Sequence, residues 1–180
     1  MSYSLKQIRQ DIPAVLRARW YFRHANAVGP RVRVRGRPRI ENLGRMVVQD
    51  RVHLHSTVAR VELATAKDGT LEIGSRTFVN YGTSISAAHS VRIGNNCQIG
   101  TNVLIMDNEF HRLEPERRLE RPESKPVEIG DNVWLGARVI VMPGVTIGAG
   151  SAIGAGSIVT RDVPPRSLAV GCPARVIRSL

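Results

Sequence analysis

From residue 129 onward an aliphatic side chain returns every six residues, at Ile129, Leu135, Val141, Ile147, Ile153 and Val159. Glycine follows directly after Ile129, Leu135, Ile147 and Ile153, and Val133, Val139, Val145, Ser151 and Ser157 stand four residues after successive anchors. Each six-residue unit therefore has two inward positions. A period of six is neither the 3.6 of a helix nor the sustained alternation of hairpin strands. It fits a strand of about three residues followed by a turn, with glycine allowing the chain to bend without a Cβ clash. Three such sides close one coil, and stacked coils pair their strands in parallel and superpose aliphatic residues in columns.

The same unit recurs upstream with interruptions. Ile73, Val79, Ile85 and Val91 hold one frame, while Ile93, Ile99 and Ile105 hold another shifted by two residues. A small insertion near Ala87 to Ser90 absorbs that shift. Ile40, Met46, Val52 and Val58 also recur at six, and Lys67-Asp68-Gly69-Thr70 reads as a turn inserted between coils. A long charged excursion spans 106–126, too polar for a coil layer, and must project as a loop.

The expected organisation is a basic N-terminal helical segment over 1–28 and a solenoid over 29–180, with a tail at 160–180. Leu5, Ile8, Ile12, Val15 and Leu16 are spaced as one face of an amphipathic helix, or of two short helices broken at Pro13. This segment either caps the coil or touches a neighbouring subunit, or it lies on a membrane surface. Residues 1–45 hold eleven Lys and Arg against Asp11 and Glu41, a net +9 of the chain's +11. Such a basic end attracts phosphates, nucleic acid or anionic membrane, and charge alone does not choose among them. Arg31, Arg33 and Arg35 alternate with valines as on an exposed strand and no nucleic-acid motif accompanies them, so nucleic acid is not expected. Aromatic residues make up only 4% of the chain, so the core must be built from Val, Ile, Leu and Ala. No apolar run reaches membrane-spanning length and no signal peptide is evident, which makes a cytoplasmic location the expectation. Cys97 and Cys172 read as small, reduced fillers.

Three segments carry a resemblance to a known family. They are Asp107-Asn108-Glu109-Phe110-His111 in the projecting loop, Asp131-Asn132-Val133-Trp134-Leu135-Gly136, and the tail from Gly154 through Pro165 that closes with Gly171-Cys172-Pro173-Ala174-Arg175-Val176-Ile177-Arg178. Over roughly residues 30 to 178 the chain resembles the hexapeptide-repeat acyltransferases, most closely the galactoside, maltose and polysaccharide O-acetyltransferase branch. The resemblance implies an all-β, left-handed parallel β-helix, assembled as a homotrimer with coenzyme clefts shared between subunits. Handedness comes from the resemblance, since the usual rule for parallel crossovers argues the opposite.

It also implies an acetyl-CoA-dependent O-acetyltransferase acting on a sugar or polysaccharide precursor by direct transfer. An N-acyltransferase on an amino sugar or other small amine is the alternative. The matching position makes His111 the general base, a role suited to a side chain titrating near neutrality. Asp107 or Glu109 is a candidate to orient its imidazole, or serves only the loop's solubility and turns. Asn80 matches the family's acceptor-side asparagine, whose amide both donates and accepts. Coenzyme contacts map to Gly136, Ala137, Ala155, Thr160, Arg161, Arg175 and Arg178, the arginines meeting phosphate. Trp134 either walls the pantetheine arm or lies on the outer face. Many relatives carry Ser at the position of Ala137 and Lys at that of Arg161, so a hydroxyl contact is in question while the charge is kept.

A metal-dependent lyase or hydratase on the same scaffold is more remote. The γ-class carbonic anhydrases place two zinc histidines five residues apart, and Glu116 stands five residues after His111. His24, His53, His55 and His89 lack metal-ligand pairing, although His89 lies in the small insertion where it could approach an acceptor. No metal is expected.

Overall fold

The computed structural model describes residues 5–180, with side chains from residue 11 onward. A helix spans Leu5–Tyr21, and everything after it winds into a parallel, left-handed β-solenoid of about seven turns. Three sheets form its faces. The first runs from Ala27–Val28 to Thr146–Ile147, the second from Arg33–Gly36 to the C-terminal hairpin, and the third from Arg39–Asn42 to Ile158–Val159.

Register explains why the sixfold recurrence dictates this shape. On the first face Val48, Ile73, Ile93, Ile129 and Ile147 stack in one column. Val34, Leu54, Val79, Ile99, Leu135 and Ile153 form the column of the second face. Leu63, Ile85, Ile105, Val141 and Val159 form that of the third. All of these side chains are buried. A branched aliphatic placed on its like gains burial at roughly 25 cal/mol per Å², and the columns need no aromatic ring to fill them. Ile73 pairs with Ile93 because Ala88 and His89 form the two-residue insertion between the strands Ser84–Ala87 and Ser90–Ile93. The two-residue frame shift is therefore a lengthened corner.

Corners carry the backbone strain. Between the first and second faces Arg51, Arg76, Asn96 and Asn132 all adopt φ of 56 to 60°, a left-handed conformation that Asn tolerates better than most residues. Arg76 Nε donates to Asn96 Oδ1 at 2.8 Å, tying one corner to the next.

Four expectations change. Val58 is 76% exposed and is no anchor; Val61 and Leu63 enter the core instead, because the corner at Thr57–Arg60 carries extra residues. The solenoid begins at Ala27, where Ala27–Val28 pairs with Val47–Val48, so the first coil includes the end of the segment assigned to 1–28. The helix, a single one through Pro13 as the first alternative had it, turns a different face: Ala14 and Ala18 point inward, with Phe22 just beyond it, while Ile12 and Leu16 face out. Small residues let the helix approach the strand Arg33–Gly36 closely, which a face of Ile and Leu would prevent; the side chains of Leu5 and Ile8 lie outside the described residues. Cys97 is buried as expected, whereas Cys172 is exposed in the turn of the closing hairpin and fills nothing.

One solvent-shielded group predicts an acid sensitivity. His53 sits on the second face with its Nε2 buried and unpartnered. Burial, then the neighbouring charges of Arg33, Arg35 and His55, push its pKa from 6.5 down to about 4, against a weaker pull from Asp11. Between those values the unfolded chain binds a proton that the folded chain refuses, so stability is full above pH 6.5 and falls toward pH 4. After discounting for partial solvation the loss is about 1–2 kcal/mol. His53→Gln should remove that part of the slope when unfolding midpoints are compared between pH 7 and 4.5.

Candidate active site

The projecting loop leaves the third face after Leu104–Met106 and returns at Val127–Ile129. Its neck is closed by Asn108, which is buried. Asn108 Nδ2 donates to Pro122 O and to Ser124 Oγ, both at 2.8 Å, and its Oδ1 accepts from Phe110 N at 2.6 Å. Lys125 N donates to Asp107 O at 2.8 Å across the same neck. Farther out, the Glu120 carboxylate accepts from Arg117 Nε at 3.0 Å and lies 3.3 Å from Arg112 Nε. A segment without regular structure beyond the 3-10 turn Pro115–Arg117 is thus held by its own side chains.

These bonds present His111 at the loop surface. Its Nδ1 lies 2.9 Å from the carbonyl oxygen of Arg118. A carbonyl can only accept, so Nδ1 carries the proton and Nε2 keeps the free lone pair. The imidazole borders a cleft of about 570 Å³ whose floor is Leu104, Met106, Ile140 and Met142 on the outside of the third face, with Glu109, Arg112 and Arg118 on the loop side.

Asp107 does not orient the imidazole, contrary to expectation. Its carboxylate is fully buried and accepts three backbone N–H groups of the inserted corner: Ala88 at 2.7 Å, His89 at 2.6 Å and Ser90 at 2.7 Å. Among the described residues no acidic side chain bonds His111, and the Arg118 carbonyl does the orienting. His89 is tied into the same corner through its backbone.

Asn80 is half-buried at the corner between the second and third faces, where its Oδ1 accepts from Tyr81 N at 2.9 Å. No contact within the chain joins it to His111. Ala137 and Ala155 stack at the same corner, since Leu135 pairs with Ile153 and Gly156 N donates to Ala137 O. Gly136, just before Ala137, is buried, and a Cβ there would lie 2.6 Å from Ala155 N. Its missing side chain serves the close stacking of coils. Thr160 and Arg161 are exposed at the opposite edge of the third face, one coil beyond Met142 of the cleft floor. Arg175 and Arg178 lie on the antiparallel hairpin Ser167–Gly171 and Ala174–Ser179 that ends the second face. Among the described residues none of these three arginines has an acidic partner. Trp134 is 59% exposed, between Gln98 and Ala152 on the outside of the second face.

Sequence reasoning missed Asn108 and the true work of Asp107. The signal for Asn108 was its position at a strand end, since Asn bonds the backbone two residues on in Asx turns. Nothing local marks Asp107, because its three partners lie about eighteen residues earlier in the chain.

Fold and site together define a class: a parallel β-helix that carries a histidine-bearing loop beside an apolar cleft. Residues 126–161 match the family described as bacterial transferase hexapeptide (six repeats). Escherichia coli galactoside O-acetyltransferase is 42% identical over 110 residues, covering 61% of this chain and 54% of that protein. A hexapeptide-repeat acetyltransferase from Vibrio cholerae is 33% identical, with a TM-score of 0.59 over 79% of this chain and 73% of that one. Its structure with acetyl-CoA gives a TM-score of 0.69 at 26% identity, over 98% and 90% of the two chains. The chain spans about half the length of the curated relatives it matches. It belongs to the hexapeptide-repeat acetyltransferases.

Proposed function

We propose that this chain transfers an acetyl group from acetyl-CoA directly to a hydroxyl of a sugar or polysaccharide precursor, with His111 as general base. The observation carrying this reading is the hydrogen bond from His111 Nδ1 to the Arg118 carbonyl, which leaves the Nε2 lone pair uncommitted on a side chain that lines the cleft. Nε2 takes the proton of the acceptor hydroxyl as its oxygen attacks the thioester carbonyl. The tetrahedral intermediate collapses, the carbon–sulfur bond breaks, and the proton passes from the imidazolium to the departing thiolate. Each residue ends as it began, and no covalent enzyme intermediate forms.

The remaining assignments fit the needs of the donor. Ala137 and Ala155 offer small side chains where a thin pantetheine arm can reach backbone polar groups. Thr160 and Arg161 flank the cleft floor from its other edge. Arg161, Arg175 and Arg178 are cations without a carboxylate partner among the described residues, suited to the phosphates of coenzyme A. Asn80 serves the acceptor, and Trp134 stands where it can wall the arm of a coenzyme bound between subunits. Because Asn80 and His111 share no contact within one chain, a homotrimer whose neighbour completes each cleft is part of this proposal. So is work in the cytoplasm, where acetyl-CoA is made, on precursors of polysaccharide.

The relative's activity on galactosides supports a sugar acceptor. Release of coenzyme thiol from acetyl-CoA should be followed against free saccharides, nucleotide sugars, lipid-linked glycans and amino sugars. Turnover with a hydroxyl acceptor supports the proposal; turnover confined to amines overturns O-transfer. Arg175→Ala combined with Arg178→Ala should raise the KM for acetyl-CoA about tenfold to a hundredfold at unchanged saturating kcat, the effect of losing one or two charge-assisted phosphate contacts.

A further inference from the structure

The N-terminal helix is turned inside out for a helix that only packs on a core. Ala14 and Ala18 face the solenoid at 2% and 1% exposure, and Arg17 donates from its guanidinium to Val34 O. The large apolar residues are left outside: Ile12, Leu16 and Trp20, at successive four-residue steps, are 54%, 59% and 61% exposed. They form one row along the helix. Beside the row a recess of about 480 Å³ is floored by Val15 and Pro30 as well as Ile12 and Leu16, with Arg19 and Arg51 among its rim.

We propose that this face docks on an anionic lipid surface. Ile12, Leu16 and Trp20 enter the boundary between headgroups and acyl chains, and Arg19 and Arg23 meet the lipid phosphates. The charge pattern selects this occupant. Arg19 has no acidic partner among the described residues, and the Arg23 guanidinium lies 4.8 Å from the Trp20 ring centroid, beside the apolar row. The surrounding segment carries the chain's excess of positive charge. A second copy pairing through the same face would set arginine against arginine, whereas an apolar row flanked by cations matches what an interfacial helix needs. Tryptophan suits the polar–apolar boundary because its ring is apolar and its indole N–H stays wet. The inference does not depend on the transfer chemistry.

The full chain should cosediment with vesicles containing about 30 mol% phosphatidylglycerol in phosphatidylcholine at least tenfold more strongly than with phosphatidylcholine alone. Replacing Ile12, Leu16 and Trp20 together by Ser should abolish this while leaving the unfolding midpoint in place, because all three are exposed. Arg19→Glu with Arg23→Glu should weaken it at least tenfold, and keeps the proposal testable if the triple variant fails to fold. Binding without preference for the anionic vesicles, or retained in full by either variant, overturns the proposal. A fall in particle mass of the triple variant by light scattering assigns the row to a second copy and overturns it equally.

Discussion

His111→Ala should lower kcat by about a hundredfold or more while leaving coenzyme affinity and the unfolding midpoint near those of the wild type. The size follows from what a positioned general base contributes, typically ~10²–10⁴-fold. The selectivity follows from geometry. His111 is exposed and makes one hydrogen bond, to Arg118 O, within a loop that Asn108 and Glu120 hold independently. Losing the ring therefore removes little stability and no phosphate contact. His111→Asn is the sharper variant, since its side-chain amide can still donate to a carbonyl but has no basic lone pair. It should be as slow as the alanine variant. Rates are read as thiol release with an acceptor that the wild type turns over, and calorimetry measures coenzyme binding. A near-normal rate in either variant removes His111 from the chemistry, and a loss confined to KM makes it a binding group instead.

The solenoid was legible because its signal is one-dimensional. Each coil contacts only its neighbours, so a strict period in sequence becomes a strict column in space, as with Ile129, Ile147 and their partners. His111 was legible through the resemblance of its loop, and the register then explains why Thr160 lies near the cleft. Positions set by unequal coil lengths or by distant partners were not. Val58 kept the period, but it lies within the lengthened corner Thr57–Arg60 and so outside the core. On the helix, hydrophobic spacing pointed to Ile12 and Leu16, yet close approach to the strand Arg33–Gly36 selected Ala14 and Ala18. The packing duty of Gly136 was not legible either, because it depends on the coil that follows. The backbone of the following coil stands where its Cβ would be.

Asp107→Ala should lower stability by about 3 kcal/mol or more, because its carboxylate holds three N–H groups and no solvent reaches it. An unsatisfied buried donor costs ~1–3 kcal/mol, and bonds to an ionised acceptor stand at the upper end. Partial rehydration of the corner at Ala88 to Ser90 keeps the total below the sum of three such terms. For a chain of this size the unfolding midpoint should fall by about 6–12 °C. Asp107→Asn tests the mechanism more closely. Its one oxygen can replace the acceptor facing Ala88 or the one shared by His89 and Ser90, but its amide then sets N–H groups against N–H groups on the other side, so it should lose most of the same stability. An acid that merely oriented His111 would give the opposite result, a normal midpoint with depressed kcat. Because Asp107 also joins the loop's neck to the inserted corner, loss of its side chain should lower activity through displacement of His111. Part of that activity should return at low temperature, where the weakened neck still closes. A midpoint unchanged in Asp107→Asn would show that the corner does not rely on this carboxylate.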